Sequence, residues 1–414
     1  MIEYQKGYLS DYFKGFAAKR LTSVEVNPRR SNQHEFQGVN RLRQLLGTPG
    51  EKVQFKARFI WLDDEGNAES VESFVTWSDV RRDNPDRSPE YHLYYSAESE
   101  EIVHRASEGD LLAVCRHKSG DLLIVLVPAE STVERQLSWL LDFSPEDLGA
   151  RPLVQEIEGK NDRELGISTR FILDELGVET EEISPSYLDL LLERFGASFP
   201  STRIFSRFAR ESLKDISVND DPDEILLAWM DHEEKLFRTL EKHIVSVRLK
   251  EGFYDEGGAD VDGFIKFSLG VQNRRKSRAG LALENHLENI FQARNIRYVR
   301  GAKTEHNARP DFLFPSLHAY QEMSFPDELL SILGVKSTCK DRWRQVLSEG
   351  QRVKIKHLLT LEPGISENQT NEMRANSLQL VLPESLHDSY SREQREWLFS
   401  LKNFISHVLV LQEQ

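Results

Sequence analysis

The chain has 414 residues and a formal net charge of −15, from 53 Lys and Arg against 68 Asp and Glu, with 39% hydrophobic residues. This length suggests two or three domains, the apolar content excludes a disordered chain, and no apolar run approaches the roughly 20 residues of a membrane span. The two cysteines, Cys115 and Cys339, exclude a disulfide framework or a Cys-based zinc site and make a reducing cytosol the expected compartment, while the acidic total taken whole argues against nucleic acid as a partner.

Residues 1–143 read as mainly β. VQFKARFIWLDD, from Val53, ends in an Asp-Asp-Glu-Gly turn and precedes ESVESFVTW; YHLYYS follows, and GDLLAVCRHKSGDLLIVLVP holds two apolar runs around a Lys-Ser-Gly-Asp turn. Short helices are predicted over Val39–Leu46, closed by Gly47 and Pro49, and from Ser131 to about Leu141. The expected product is a small barrel or sandwich. Residues 144–215 read as a helical linker, with Leu and Phe recurring at three and four in SYLDLLLERFG and STRIFSRFARESL. Within 216–414, PDEILLAWMDHEEKLFRTLEKHIV continues the helical pattern, its first turn loaded with Asp221, Asp223 and Glu224. A basic loop, Arg274-Arg275-Lys276-Ser277-Arg278, then opens a helix striped by Leu283, Leu287, Ile290 and Phe291. Strands are predicted at Ile296–Val299, DFLF, LLSILGVKST, HLLTL and LQLVLP, a helix at DRWRQVLSE and a terminal helix at REQREWLFSLKNFISHVLVL. That alternation implies an α/β sheet with helices on its faces.

Charge is unevenly spread. Asp142–Gly270 holds 29 acidic and 15 basic residues, whereas Val271–Thr360 holds 16 basic and 9 acidic. The mean therefore conceals a basic stretch able to meet nucleic acid.

Inside that stretch, Asp311 follows Pro310, Lys336 ends an apolar strand, and Glu349 comes thirteen residues later on the predicted helix. Two carboxylates and a lysine suit metal-assisted phosphodiester hydrolysis, with hard oxygen ligands for Mg²⁺ and a cation beside the phosphate. Glu284 is a further acid within reach. Alone, such a set is more often a group of surface ion pairs. Trp343 reads as core, and His306 and His318 as exposed turn residues.

NRRKSRAGLALENHLENIF, ARPDFLFPS and GVKSTCKDRWRQVLSEG, in this order, resemble the catalytic domain of the EcoRII-type restriction endonucleases, a branch of the PD-(D/E)XK nuclease fold whose second acid is displaced from the strand to the following helix. DPDEILLAWMDHEEKLF resembles the helical segment ahead of that domain, and residues 30–140 more faintly resemble the family's N-terminal effector-binding pseudobarrel. The resemblance implies three parts: a DNA-binding β-domain over 1–143, a helical linker over 144–215 and an α/β catalytic domain over 216–414. It implies Asp311, Lys336, Glu349 and Glu284 as catalytic residues, with Asp311 and Glu349 holding Mg²⁺. Lys340, Asp341 and Arg342 fall on the stretch that reads base edges, and a basic–acidic–basic triplet suits a C/G-rich site. Arg274, Arg275, Lys276 and Arg278 are expected on the DNA backbone, one of them near an extruded base. His34, Arg81 and Arg82 are expected at the N-terminal DNA interface.

The expected protein is a cytoplasmic, homodimeric prokaryotic enzyme of type IIE character that cuts a CC/GG-containing duplex site with a flipped central base while a second DNA site acts as effector. Two alternatives are a 5-methylcytosine-dependent endonuclease and a catalytically inactive DNA-binding regulator.

Overall fold

The computed structural model describes residues 7–27, 34–84, 86–159, 162–180, 185–214, 216–255, 257–339 and 342–414. The chain divides into two compact units, one formed by 4–178 with 363–369 and the other by 179–362 with 370–414. No described helix is long and apolar enough to cross a membrane.

The first unit is built on one eight-stranded sheet: β1 (Phe13–Arg20), β2 (Glu35–Phe36), β3 (Val53–Leu62), β4 (Ala68–Asp79), β5 (Tyr91–Tyr95), β6 (Leu111–His117), β7 (Leu122–Val127) and β8 (Leu153–Glu156). Their order is β2-β5-β4-β3-β7-β6-β1-β8, with β3 and β7 parallel and the other neighbours antiparallel. The apolar run of β7 and that of the C-terminal half of β3, Phe59–Leu62, follow from burial on both faces. Phe59 and Trp61 enter one core while Ile60 and Leu62 enter the other, beneath the helices Thr132–Leu141 and Ile167–Glu175. The sheet curls. β2 and β3 are three positions apart, about 14 Å if flat, yet the Phe36 and Phe59 rings lie 6.5 Å apart. Strand β1, which the sequence pattern does not single out, needs Gly15, because a Cβ there would sit 2.5 Å from the Gln155 carbonyl oxygen of β8. Its Lys19 is buried and donates to Glu25 at 2.7 and 2.9 Å.

In the second unit, the helices Pro185–Phe195, Thr202–Ser212, Pro222–Glu251 and Val261–Ala293 precede a five-stranded sheet. A short hairpin, β9 (Tyr254–Asp255) and β10 (Gly258–Ala259), joins the two long helices. The sheet runs β11 (Val299–Arg300), β12 (Phe312–Phe314), β13 (Ser331–Lys336), β14 (Lys356–Thr360), β15 (Leu378–Val381), antiparallel through β13 and parallel thereafter. Asp221 caps the first long helix by accepting from Asp223 N at 3.0 Å, with Pro222 at its first position. An aromatic cluster of Phe291, Phe312, Phe314 and Phe404 fastens the second long helix and the terminal helix Leu401–Glu413 to the sheet.

Residues 144–215 divide between the units. Ile172 and Leu173 pack into the β-unit core, while Tyr187, Leu191, Phe205 and Ala209 pack with Leu236 and Phe237 of the long helix. The boundary at 178 follows the partners of each apolar face and differs from the expected ones at 143 and 215.

Two local expectations are corrected. Residues 274–278 are not a loop ahead of a helix; they lie in the middle of the 33-residue helix Val261–Ala293. Phe264, Ile265 and Leu269 on its N-terminal half are exposed, so no buried stripe marks that half in the sequence. Glu349 is not on the helix after β13, which spans only Trp343–Leu347; it stands in the following turn, where Glu349 N donates to Val346 O at 3.1 Å.

Candidate functional site

Asp311 enters the site from the residue before β12. Its Oδ2 accepts from Val335 N at 2.6 Å and from Lys336 Nζ at 3.0 Å. Both donors belong to β13, and the register pairs Phe312 with Leu333, so adjacency of the two strands places the carboxylate beside the lysine. The side chains of Asp311 and Lys336 are 19% and 17% exposed, which shields the pair while leaving it reachable.

Gly334 explains why the second acid is not on the strand. A Cβ there would lie 2.6 Å from Val346 Cγ2 on the next helix, so any larger residue would push that helix away. Trp343, fully buried as the sequence pattern predicts, anchors the same helix. The acid arrives instead from the turn, as Glu349. Burial, then the Asp311 carboxylate, pushes the Glu349 carboxyl up to about 7, against the pull of Lys336 and Lys356. Its Oε2 is buried without a hydrogen-bond partner among the described residues.

Glu284 completes the group from the helix Val261–Ala293, whose Leu283, Leu287 and Ile290 are buried in the core. Its carboxyl is held above the usual range by burial, with Asp311 adding to this and Arg300 and Lys336 opposing. Arg300 of β11 is a site residue that the sequence reading missed. It donates to Glu284 Oε2 from Nε at 3.1 Å and Nη2 at 2.7 Å, and from Nη1 to Asn285 Oδ1 at 2.9 Å and Glu288 Oε2 at 3.0 Å. An arginine in a two-residue strand carries no motif; the available signal is its position opposite Phe312 in the register, next to Asp311. Arg300→Ala strands the half-buried Glu284 carboxylate and leaves Glu288 paired with Arg203 alone. It is expected to cost about 1–3 kcal/mol of stability, measured by denaturant unfolding, and a change within noise would contradict the clamp.

Two carboxylates with uncommitted oxygens are hard-donor chemistry. Among the described residues no group of three or more His, Cys, Asp or Glu side chains could hold a metal ion. A divalent ion at Asp311 and Glu349 would therefore complete its shell with water and phosphate oxygens, as Mg²⁺ commonly does. His306, in the single helical turn Glu305–Asn307, and His318 are exposed and outside this group; His318 lies on the short helix Leu317–Gln321 and not in the expected turn.

The residues expected on DNA fare unevenly. Lys340 and Asp341 lie outside the described residues. Arg342 is exposed and donates to Thr338 O and Oγ1 at 2.6 and 2.8 Å. Of the basic run, Arg278 is buried, paired with Glu233 at 3.4 Å and with Glu234, and stacked over Phe237 at 4.1 Å. Arg275 bridges Glu241 at 2.6 Å and Glu179 at 3.0 Å. For Arg278 the expectation of backbone contact is corrected, since matching carboxylates hold its guanidinium inside the helical layer; Arg275 is paired with carboxylates but 30% exposed. Arg274, over the Phe199 ring at 4.4 Å, and Lys276 are exposed. In the β-unit, His34 stacks on Tyr95 with centroids 5.4 Å apart, at the end of β5 opposite the loop carrying Arg81 and Arg82. Four residue steps of rise, about 14 Å, separate the two ends. Arg81 pairs with Glu90, while Arg82 is 54% exposed beside Asp83.

Residues 237–405 match the family model described as EcoRII C terminal. The type II restriction enzyme EcoRII of Escherichia coli is 40% identical over 237 residues, which cover 57% of this chain and 56% of EcoRII. The chain thus spans about half the length of that curated relative. Among solved structures, metal-depleted Ecl18kI in complex with uncleaved, modified DNA overlaps 56% of this chain and 86% of its own at 18% identity and a TM-score of 0.45. A PspGI restriction endonuclease–substrate DNA complex overlaps 52% and 94% at 16% identity and a TM-score of 0.43.

Proposed function

Because residues 237–405 match the family model described as EcoRII C terminal, we propose that this chain is a type II restriction endonuclease, a cytoplasmic enzyme that hydrolyses phosphodiester bonds at a specific site in double-stranded DNA. The observation that carries the reading is the Asp311 carboxylate held by Val335 N and Lys336 Nζ, with the unpartnered oxygen of Glu349 beside it.

In this reading Asp311 and Glu349 hold Mg²⁺, which when bound supplies a water of lowered pKa and positive charge at the phosphate. Lys336, fixed by its bond to Asp311, orients the attacking water and offsets negative charge on the phosphoryl oxygens, leaving a 5′-phosphate and a 3′-hydroxyl. Glu284, clamped by Arg300, keeps a second charged edge on the site and sets its field. Lys340, Asp341 and Arg342 read base edges in a CC/GG-containing target whose central base is flipped. The exposed Arg274 and Lys276 remain available to the backbone. A twofold-symmetric target cut on both strands calls for a homodimer. Exposed Val261, Phe264, Ile265 and Leu269 on one helix offer apolar surface for such a contact.

The β-unit, with His34, Arg81 and Arg82, binds a second DNA site as effector in the type IIE manner. Because the family match begins only at residue 237, this unit could instead read 5-methylcytosine. The inactive-regulator reading is disfavoured, since a lysine–carboxylate pair and an unpartnered carboxylate oxygen are retained together.

Digestion of methylated and unmethylated plasmids in parallel, with Mg²⁺ or with chelator, separates these readings. Cutting of unmethylated DNA only with Mg²⁺ is expected. Cutting of methylated DNA alone would favour the methyl reader, and no cutting of either would favour the regulator.

A further inference from the structure

One helical turn beyond Glu284 lies a polar pocket of about 430 Å³ that the catalytic reading does not use. Arg203, Arg207 and Arg210 line it, spaced four and three apart and so presented on one face of the helix Thr202–Ser212. Two of the three are committed. Arg203 pairs with Glu288 at 3.2 Å, and Arg210 donates to His286 Nδ1 at 3.0 Å. Arg207 is exposed and has no partner among the described residues. Burial lowers the Arg210 pKa against the pull of Glu233, and the neighbouring Arg207 charge on the same helix face adds to the lowering. Trp229 also lines the pocket; it is 3% exposed, and its indole N–H has no acceptor among the described residues. The Asn289 amide is a further donor in the lining; the Gln292 amide already donates to Tyr298 Oη at 2.9 Å, and the Glu211 carboxylate lies on the same lining.

A pocket rich in donors, with one unmatched guanidinium and one buried unmatched N–H, is built for an anion. The anion at hand is set by place. Glu288, which Arg203 holds, is also held by Arg300, and Arg300 holds Glu284. The four residues from Glu284 to Glu288 advance about 6 Å along the helix. That is one to two nucleotides of backbone at roughly 3.4 Å per nucleotide.

We propose that this pocket binds a DNA backbone phosphate one or two nucleotides from the scissile bond, with Arg207 as its principal cation, and so fixes the strand against Asp311 and Lys336. This rests on the nuclease reading above. Backbone contacts position the duplex without reading sequence, so the effect falls alike on target and non-target DNA.

The test is equilibrium binding of a duplex cut by the wild type, using the full chain without divalent metal, across a salt series. Arg207→Ala is expected to weaken binding about tenfold and to reduce the slope of log affinity against log salt by about one, for target and non-target duplexes alike. Arg207 is exposed, so folding is preserved; Arg207→Glu must weaken binding further. A single neutral methylphosphonate one or two nucleotides from the cut is expected to weaken the wild type but not Arg207→Ala. Unchanged affinity and slope in Arg207→Ala, or equal loss with methylphosphonate in both proteins, would overturn the pocket assignment while leaving the nuclease reading standing. A wild type that neither binds nor cuts any duplex would overturn both.

Discussion

Lys336→Ala is expected to lower DNA cleavage by about a thousandfold or more, while duplex affinity stays within severalfold of the wild type. The reason is geometric. Lys336 Nζ lies 3.0 Å from the Asp311 oxygen that also accepts from Val335 N. Removing the ammonium leaves Asp311 placed but takes away the cation bonded to its carboxylate, which faces the developing charge. Many backbone contacts share the affinity, so one lost cation moves it little. Lys336→Arg is expected to recover only a part, because a planar fork does not reproduce a compact point charge. Single-turnover cleavage and binding measured side by side check this, and cleavage near the wild-type rate in Lys336→Ala would refute the site.

Glu349→Gln is expected to abolish cleavage and, without metal, to raise thermal stability above pH 7. Burial and Asp311 push the Glu349 carboxyl up to about 7, so the folded state holds its proton more tightly than the unfolded chain. The sign follows from proton linkage: the contribution is fully present below the ordinary carboxylate range and is lost as pH rises through about 7. Glutamine has no charge to desolvate. Its melting temperature should therefore exceed that of the wild type by several degrees at pH 8 and converge with it near pH 4. Mg²⁺ should raise the wild-type melting temperature at pH 8 more than that of the variant, since only the wild type offers the carboxylate. Parallel melting curves across pH for the two proteins would contradict the buried charge.

Where a segment's local chemistry and its burial agree, the sequence pattern is legible. Asp221-Pro222 opens a long helix, β12 and β13 appear as apolar runs, and the Asp311–Lys336 pair is adjacent because neighbouring strands carry it. Where tertiary context decides, the pattern misleads. The basic run 274–278 looks like a loop, yet Glu179, Glu233, Glu234 and Glu241, distant in sequence, neutralise two of its arginines inside a continuous helix. Glu349 falls past the helix that its spacing suggests, since that helix is only five residues long. Strand β1 is missed because its Gly15, Ala17 and Ala18 are small for close approach, a requirement visible only beside β8. Arg300 belongs to no motif; its role comes from four hydrogen bonds to residues 12 to 16 positions earlier. The net charge of −15 pointed away from DNA, while the residues of the site lie in the segment of opposite sign.

The central claim is that Asp311, Lys336 and Glu349 form a working DNA-cleaving site, and mapping the ends left on plasmid DNA of known methylation tests it most directly. The account predicts double-strand breaks at one fixed sequence, bearing 5′-phosphate and 3′-hydroxyl ends, formed by the wild type with Mg²⁺ and absent with Lys336→Ala. Breaks at random positions, or the same breaks from the alanine variant, would contradict it.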